Sequence, residues 1–216
     1  MTARFRRLLP VFAATAALAG CHHSGNLVVD EGVGITALRT TCPAVGIPDY
    51  TGDITLFRGS AHTADAIDMV ASMTNVRTTC DNTGAKVYAV SSFDVLARRT
   101  NTSGARTIQL PYFSSVVRGG STVVSKRVGT ITITFADGQE RAQGKATAGA
   151  YIDKAEATLP PEVVEIINRK RKAGENDAAT DPLTLPEVRT ALNRANFELL
   201  VGFQLTEAQL AYNATR

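Results

Sequence analysis

From Asp53 to Phe135 the chain alternates apolar and polar side chains over long runs, and each run ends in turn chemistry. Period-two alternation puts one apolar row on a single face of an extended strand, so each run needs a partner layer to cover that face. Asp53 to Arg58 alternates around Ile54 and Leu56, and Ile67, Met69, Ala71 and Met73 begin a run that continues to Cys80. Asp81-Asn82-Thr83-Gly84 then turns the chain into Lys86 to Arg99, so these two runs read as a hairpin. Arg106 to Arg118 and Thr122 to Phe135 form a second pair across Gly119-Gly120, with Pro111 implying a bulge or an edge position. Asp137-Gly138 leads to a weaker strand over Ala146 to Thr158. The pattern predicts a mainly β fold, an immunoglobulin- or fibronectin-like β-sandwich.

Two helices interrupt the pattern. Pro160-Pro161-Glu162 suits a helix start, Val163, Ile166 and Ile167 form its apolar face, and Arg169 to Lys172 fill its last turn before Gly174. Thr184-Leu185-Pro186-Glu187 fits a capping box for a second helix carrying Val188, Ala191, Leu192 and Ala195. Phe197, Leu199, Val201, Phe203 and Leu205 then alternate as a final strand. The helical segment 159–195 is therefore expected as an insertion before the last strand of a domain spanning 34–216. Thr206-Glu207-Ala208-Gln209 offers another capping box, for a short helix ending near Tyr212.

The first twenty residues have a different logic. Arg4, Arg6 and Arg7 precede a short apolar stretch, Leu8 to Ala19, broken by Pro10 and Thr15. A bilayer-spanning helix needs about 20 apolar residues, so this stretch reads as an export signal over residues 1–20. Leu18-Ala19-Gly20-Cys21 resembles the lipobox of bacterial prolipoproteins. That resemblance implies cleavage between Gly20 and Cys21, with palmitate-type acyl chains and a diacylglyceryl thioether on Cys21. Two or more acyl chains hold a protein stably to a membrane. Residues 21–33 read as a tether with a reach of roughly 40 Å. His22 stands where an aspartate commonly marks inner-membrane retention, which favours the outer membrane, facing the periplasm.

Charge supports the address and says little about a partner. Of 23 basic side chains three lie in the signal, which leaves 20 against 20 acidic ones. With Cys21 acylated, Cys42 and Cys80 remain, and in an oxidising compartment they are expected as a disulfide, two buried thiols being the alternative. Neither lies in a C-x-x-C motif, and no metal or cofactor site is expected; His22-His23 lack further ligands nearby. His62 is the one histidine outside the tether, near Ser60 and Asp65, but residues this close in a loop rarely assemble a catalytic triad. Glu175-Asn176-Asp177 lacks the ligand alternation of a calcium loop, and Arg169 to Lys172 is the one dense basic cluster. Asn101-Thr102-Ser103 and Asn213-Ala214-Thr215 match the glycosylation sequon, with no reason to expect modification in a bacterial lipoprotein.

The lipobox, Cys42-Pro43, Cys80 and the terminal Val201-Gly202-Phe203 strand together resemble uncharacterised envelope lipoproteins of proteobacteria. The resemblance implies location and architecture, with no catalytic motif or ligand. The leading expectation is a non-enzymatic lipoprotein, held to the membrane by Cys21, that meets another envelope protein and no nucleic acid. The alternatives are a periplasmic carrier for a small hydrophobic ligand, with segment 159–195 covering a sandwich opening, and an envelope hydrolase built around His62.

Overall fold

Strands with one apolar face are stable only when a second layer covers that face, and here two four-stranded sheets cover each other. The computed structural model describes residues 41–170, 174 and 179–215. The expected signal and tether, with Gly20 and Cys21, and also Arg171, Lys172 and the Glu175–Asp177 cluster, lie outside the described residues. Residues 41–169 and 180–215 belong to one compact unit.

The first sheet has the order β2 (Asp53–Phe57), β3 (Ile67–Asp81), β4 (Lys86–Arg99), β7 (Arg141–Asp153), all neighbours antiparallel. The second has the order β1 (Ala44–Gly46), β8 (Phe197–Phe203), β5 (Arg106–Arg118), β6 (Thr122–Phe135), with β1 parallel to β8. The chain is thus the mainly β sandwich that the alternation predicts. Met69, Phe93 and Val95 of the first sheet meet Leu110, Ile133, Phe135, Val201 and Phe203 of the second in one buried cluster. Val87, Ala150 and Ile152 meet Val116, Phe197 and Leu199 in another. Between β7 and β8 in sequence lie α1 (Pro161–Asn168) and α2 (Pro186–Ala195), and α3 (Glu207–Thr215) follows β8.

Alternation along β4 buries Val87, Ala89, Ser91, Phe93, Val95 and Ala97, and the next position on that face is Arg99. Arg99 is only 1% exposed. Its guanidinium donates to four main-chain carbonyls, all at 2.8 Å: Nε to Gln139, Nη1 to Gly104, Nη2 to Thr102 and Ala136. Thr102 and Gly104 belong to the β4–β5 connection, and Ala136 and Gln139 to the β6–β7 connection. Both connections carry the chain from one sheet to the other, so a single side chain holds both. The charge also sits over the Phe135 ring, 5.1 Å from its centroid. Among the described residues no carboxylate lies within ion-pair distance of Arg99, so carbonyl dipoles solvate it.

The structure departs from the sequence expectations at several points. β7 starts at Arg141, earlier than Ala146, and stops at Asp153. Its core positions are small because β6 lies close: a Cβ on Gly144 would meet Ile133 Cδ1 at 2.7 Å. Such small residues carry little strand signal. Pro111 is neither in a bulge nor on an edge strand; β5 is central, but the β8 ladder ends at Tyr112↔Phe203, so no N–H is required at Pro111. The register slip falls between Val116 and Val117, opposite the extra residue Val124 on β6. α1 ends at Asn168, with Arg169 already extended, so the basic run follows the helix instead of filling its last turn. At α2, Pro186 takes the first helical position and Leu185 the cap, while Thr184 lies in the preceding 3-10 turn and donates to Asp181 O. Proline's preference for the first turn displaces the expected capping box there. The second box forms as read: Thr206 N–H donates to Gln209 Oε1 at 2.9 Å and Gln209 N–H to Thr206 Oγ1 at 3.3 Å.

Cys42 and Cys80 form a disulfide, joining the segment before β1 to the end of β3. Closing a loop with a sequence separation of 38 residues removes chain entropy from the unfolded state. The expected stabilisation is about 4 kcal/mol. Urea titrations with and without reductant should show a loss of that order; unchanged stability on reduction would contradict it. Arg99→Ala should cost roughly 3 to 5 kcal/mol, because four part-buried carbonyls lose their donors and the buried side chain leaves a void, and Arg99→Lys should restore less than half of that. A lysine variant as stable as wild type would show that charge alone suffices.

Candidate functional site

Two of the open clefts among the described residues differ in chemistry. The first lies where β6 and β7, the edge strands on the same side of the two sheets, separate. It has a volume of about 310 Å³ and is lined by Tyr88, Tyr112, Arg127, Val128, Thr147 and Tyr151, among others. Close to the core the two strands approach each other through Gly144 and Ile133; further along they diverge. β6 is exposed at every position from Thr122 to Val128.

Tyr112 spans the narrow end of this opening. Its hydroxyl donates to Thr147 O at 2.8 Å, and its ring lies across Gly129. A Cβ at position 129 would come within 2.5 Å of that ring, so only glycine lets tyrosine cross here. Tyr88 and Tyr151, which also line the opening, face each other across β4 and β7 and stack with ring centroids 4.4 Å apart. Tyr151 is 63% exposed and Val123 and Val128 are each 61% exposed. Of the nine large apolar side chains exposed among the described residues, three (Tyr88, Val128 and Tyr151) line this opening, and Val123 and Val124 lie further along the same exposed half of β6. Arg127 lines it, Lys126 sits over the Phe113 ring on the adjacent position, and no acidic residue lines the cleft.

The second cleft, about 360 Å³, lies between β2 and α3 and includes His62. His62 packs on Phe57 at a centroid distance of 4.8 Å, and Tyr212 meets Phe57 edge-on at 5.0 Å. Thr55 lines its floor, buried, with no partner for its hydroxyl. Asp68 is the carboxylate in this cleft, and Arg106 holds it through two hydrogen bonds, Nη1 to Oδ1 at 2.8 Å and Nη2 to Oδ2 at 2.6 Å. Ser60 and Asp65 are both exposed in the turn around His62. The structure therefore places His62 in an aromatic cluster, beside a carboxylate already engaged by arginine.

Other residues singled out in the sequence have plain roles. Asn213 of the second sequon is buried, and its side-chain amide donates to Tyr50 O and Asp53 O, each at 2.8 Å. It fastens α3 to the β2 region. Arg169 and Lys170 are exposed beyond the end of α1. Cys21 and Gly20, expected from the sequence as the lipidation and cleavage positions, lie outside the described residues. What sequence reasoning missed is the β6–β7 opening, since it depends on which strands become edges. The one available signal was the valine-rich start of β6, Val123-Val124, followed by Lys126-Arg127.

No protein family, no curated protein and no solved structure matches this chain.

The Asp68–Arg106 pair has a pH signature. The hydrogen bonds from Arg106 hold the Asp68 carboxyl below its ordinary value of 3.8, against the opposing effect of partial burial. A depressed folded value stabilises the fold above the unfolded value, and that contribution disappears as pH falls through the folded one. Wild type should therefore exceed Asp68→Asn in stability by a constant margin above about pH 5, and the margin should shrink below 3.8. Urea midpoints measured from pH 7 downward would show this; a margin independent of pH would contradict it.

Proposed function

We propose that this protein is a non-enzymatic, lipid-anchored module of the cell envelope whose work is to bind another protein. The observation that carries the reading is that the exposed side chains of Tyr88, Tyr151 and Val128 line one opening between two free strand edges. Contiguous exposed apolar surface rimmed by charge marks interaction sites on proteins of this size. Isolated exposed apolar residues, such as Leu210 on α3 and Val164 on α1, carry no such meaning.

Membrane attachment rests on the sequence Leu18-Ala19-Gly20-Cys21. Among the described residues no helix is long and apolar enough to cross a membrane. A lipid on Cys21 followed by a short tether would keep the sandwich near the membrane surface and leave its strand edges accessible. The site proposed is an outer-membrane leaflet facing the periplasm, with the Cys42–Cys80 disulfide suited to that compartment.

Two measurements in native cells test the reading. Labelled palmitate should enter the wild-type protein, and Cys21→Ser should lose both the label and its membrane fraction. A photo-crosslinking side chain placed in turn at Val128, Tyr151, Val164 and Leu210 should give an adduct of discrete mass from at least one position. A Cys21→Ser protein that stays with membranes would sink the anchor, and failure of every position to crosslink would sink the interaction role.

A further inference from the structure

We propose that the β6–β7 opening receives an extended segment of a partner protein, which adds to the free edge of β6 and sets a carboxylate beside Arg127. The proposal rests on the protein-binding role above and names the site and the partner's chemistry.

Hydrogen-bond alternation defines the edge. Pro111 O accepts from Gln204 N–H at 2.9 Å, which turns the polar groups of Pro111 towards the β8 side of β5. In an antiparallel ladder the next residues face the other way, so Tyr112 and Ser114 exchange bonds with their partners Gly129 and Arg127 on β6. Lys126 and Val128 consequently point N–H and C=O away from β5, into the opening. β7 follows the same rule. Glu140 O and Lys154 N–H bond towards β4 through Arg99 and Ala85, so the odd-numbered residues Gly149 and Tyr151 face outward. Thr147 O, also on that edge, already accepts from Tyr112. An incoming strand thus finds main-chain partners on β6 and apolar cover from Tyr151, Tyr88 and Val128.

Charge selects the occupant. Lys126 and Arg127 are the charged residues of the exposed half of β6; neither makes an ion pair among the described residues, and no acid lines the cleft. Pairing β6 with β6 of a second copy would bring these cations together, and the extra residue Val124 further disrupts such a ladder. Cationic edges with bulges are how sheets refuse their own kind. The same features accept a strand of opposite charge, so the segment that fits alternates apolar and acidic residues. Strand addition of this kind draws affinity from main-chain bonds and selectivity from alternate side chains.

The test uses the full lipidated chain in detergent micelles with two labelled synthetic nonapeptides, one alternating valine and glutamate, the other valine and lysine. The glutamate peptide should bind and the lysine peptide should not. Lys126→Glu combined with Arg127→Glu, whose thermal unfolding should match wild type, should weaken the glutamate peptide by at least about tenfold. Hydrogen exchange supplies a second readout. On binding, the amides of Lys126 and Val128 should slow while the amide of Arg127, already bonded to β5, stays unchanged. Equal binding of both peptides, no binding, or protection without that alternation would overturn the proposal. So would a dimer in sedimentation that the double variant dissociates, since a second copy would then be the occupant. Absence of peptide binding alongside crosslinks from another face removes this site and leaves the protein-binding role standing.

Discussion

A guanidinium with no counter-ion among the described residues sets the shape of this sandwich. Arg99 is buried at the end of β4, where the chain leaves the first sheet, and its four hydrogen bonds reach the two connections that pass between sheets. Carbonyls in connecting segments have no ladder to satisfy them. One planar donor set satisfies four of them together, and the geometry of its fork fixes where each segment can run. With that end pinned, β6 and β7 are held close near Gly144 and Ile133. Their opposite ends are free to part.

The separation of those strands is maintained by size. Ala148, Ala150, Gly144 and Gly149 keep β7 thin, and Gly129 lets the Tyr112 ring lie flat over β6. Tyr112 then bridges from β5 to Thr147 O at the narrow end of the opening. A larger residue on β7 near Gly144 would push the sheets apart in the core, and a side chain at position 129 would evict the bridge. The opening is thus a built feature of the packing, with its width set by one tyrosine on one glycine.

Much of the architecture was legible because long alternating runs leave few choices. β4, β5 and β6 begin and end where their alternation and their turns say they should. The reading weakened where side chains are small or proline competes. β7 is rich in alanine and glycine, and β1 is only three residues long, too short to show a period. Thr184 matched a capping pattern that Pro186 overrode, whereas Thr206, with no nearby proline, capped as expected. Arg99 was open to inference and went unread: counting by twos from Val87 places it on the buried face. The disulfide followed from counting cysteines. The opening did not, because edge strands are a property of topology, and alternation is silent about neighbours.

The disulfide also settles how the fold meets a pull from its N-terminal side. Force entering the chain ahead of Cys42 divides between two routes. One runs through the parallel pairing of β1 with β8, where the hydrogen bonds would be loaded together in shear. The other crosses the covalent bridge to Cys80 and enters the long β3–β4 hairpin of the opposite sheet. Neither sheet can be peeled from that end without the other, so a domain tethered there behaves as one mechanical body.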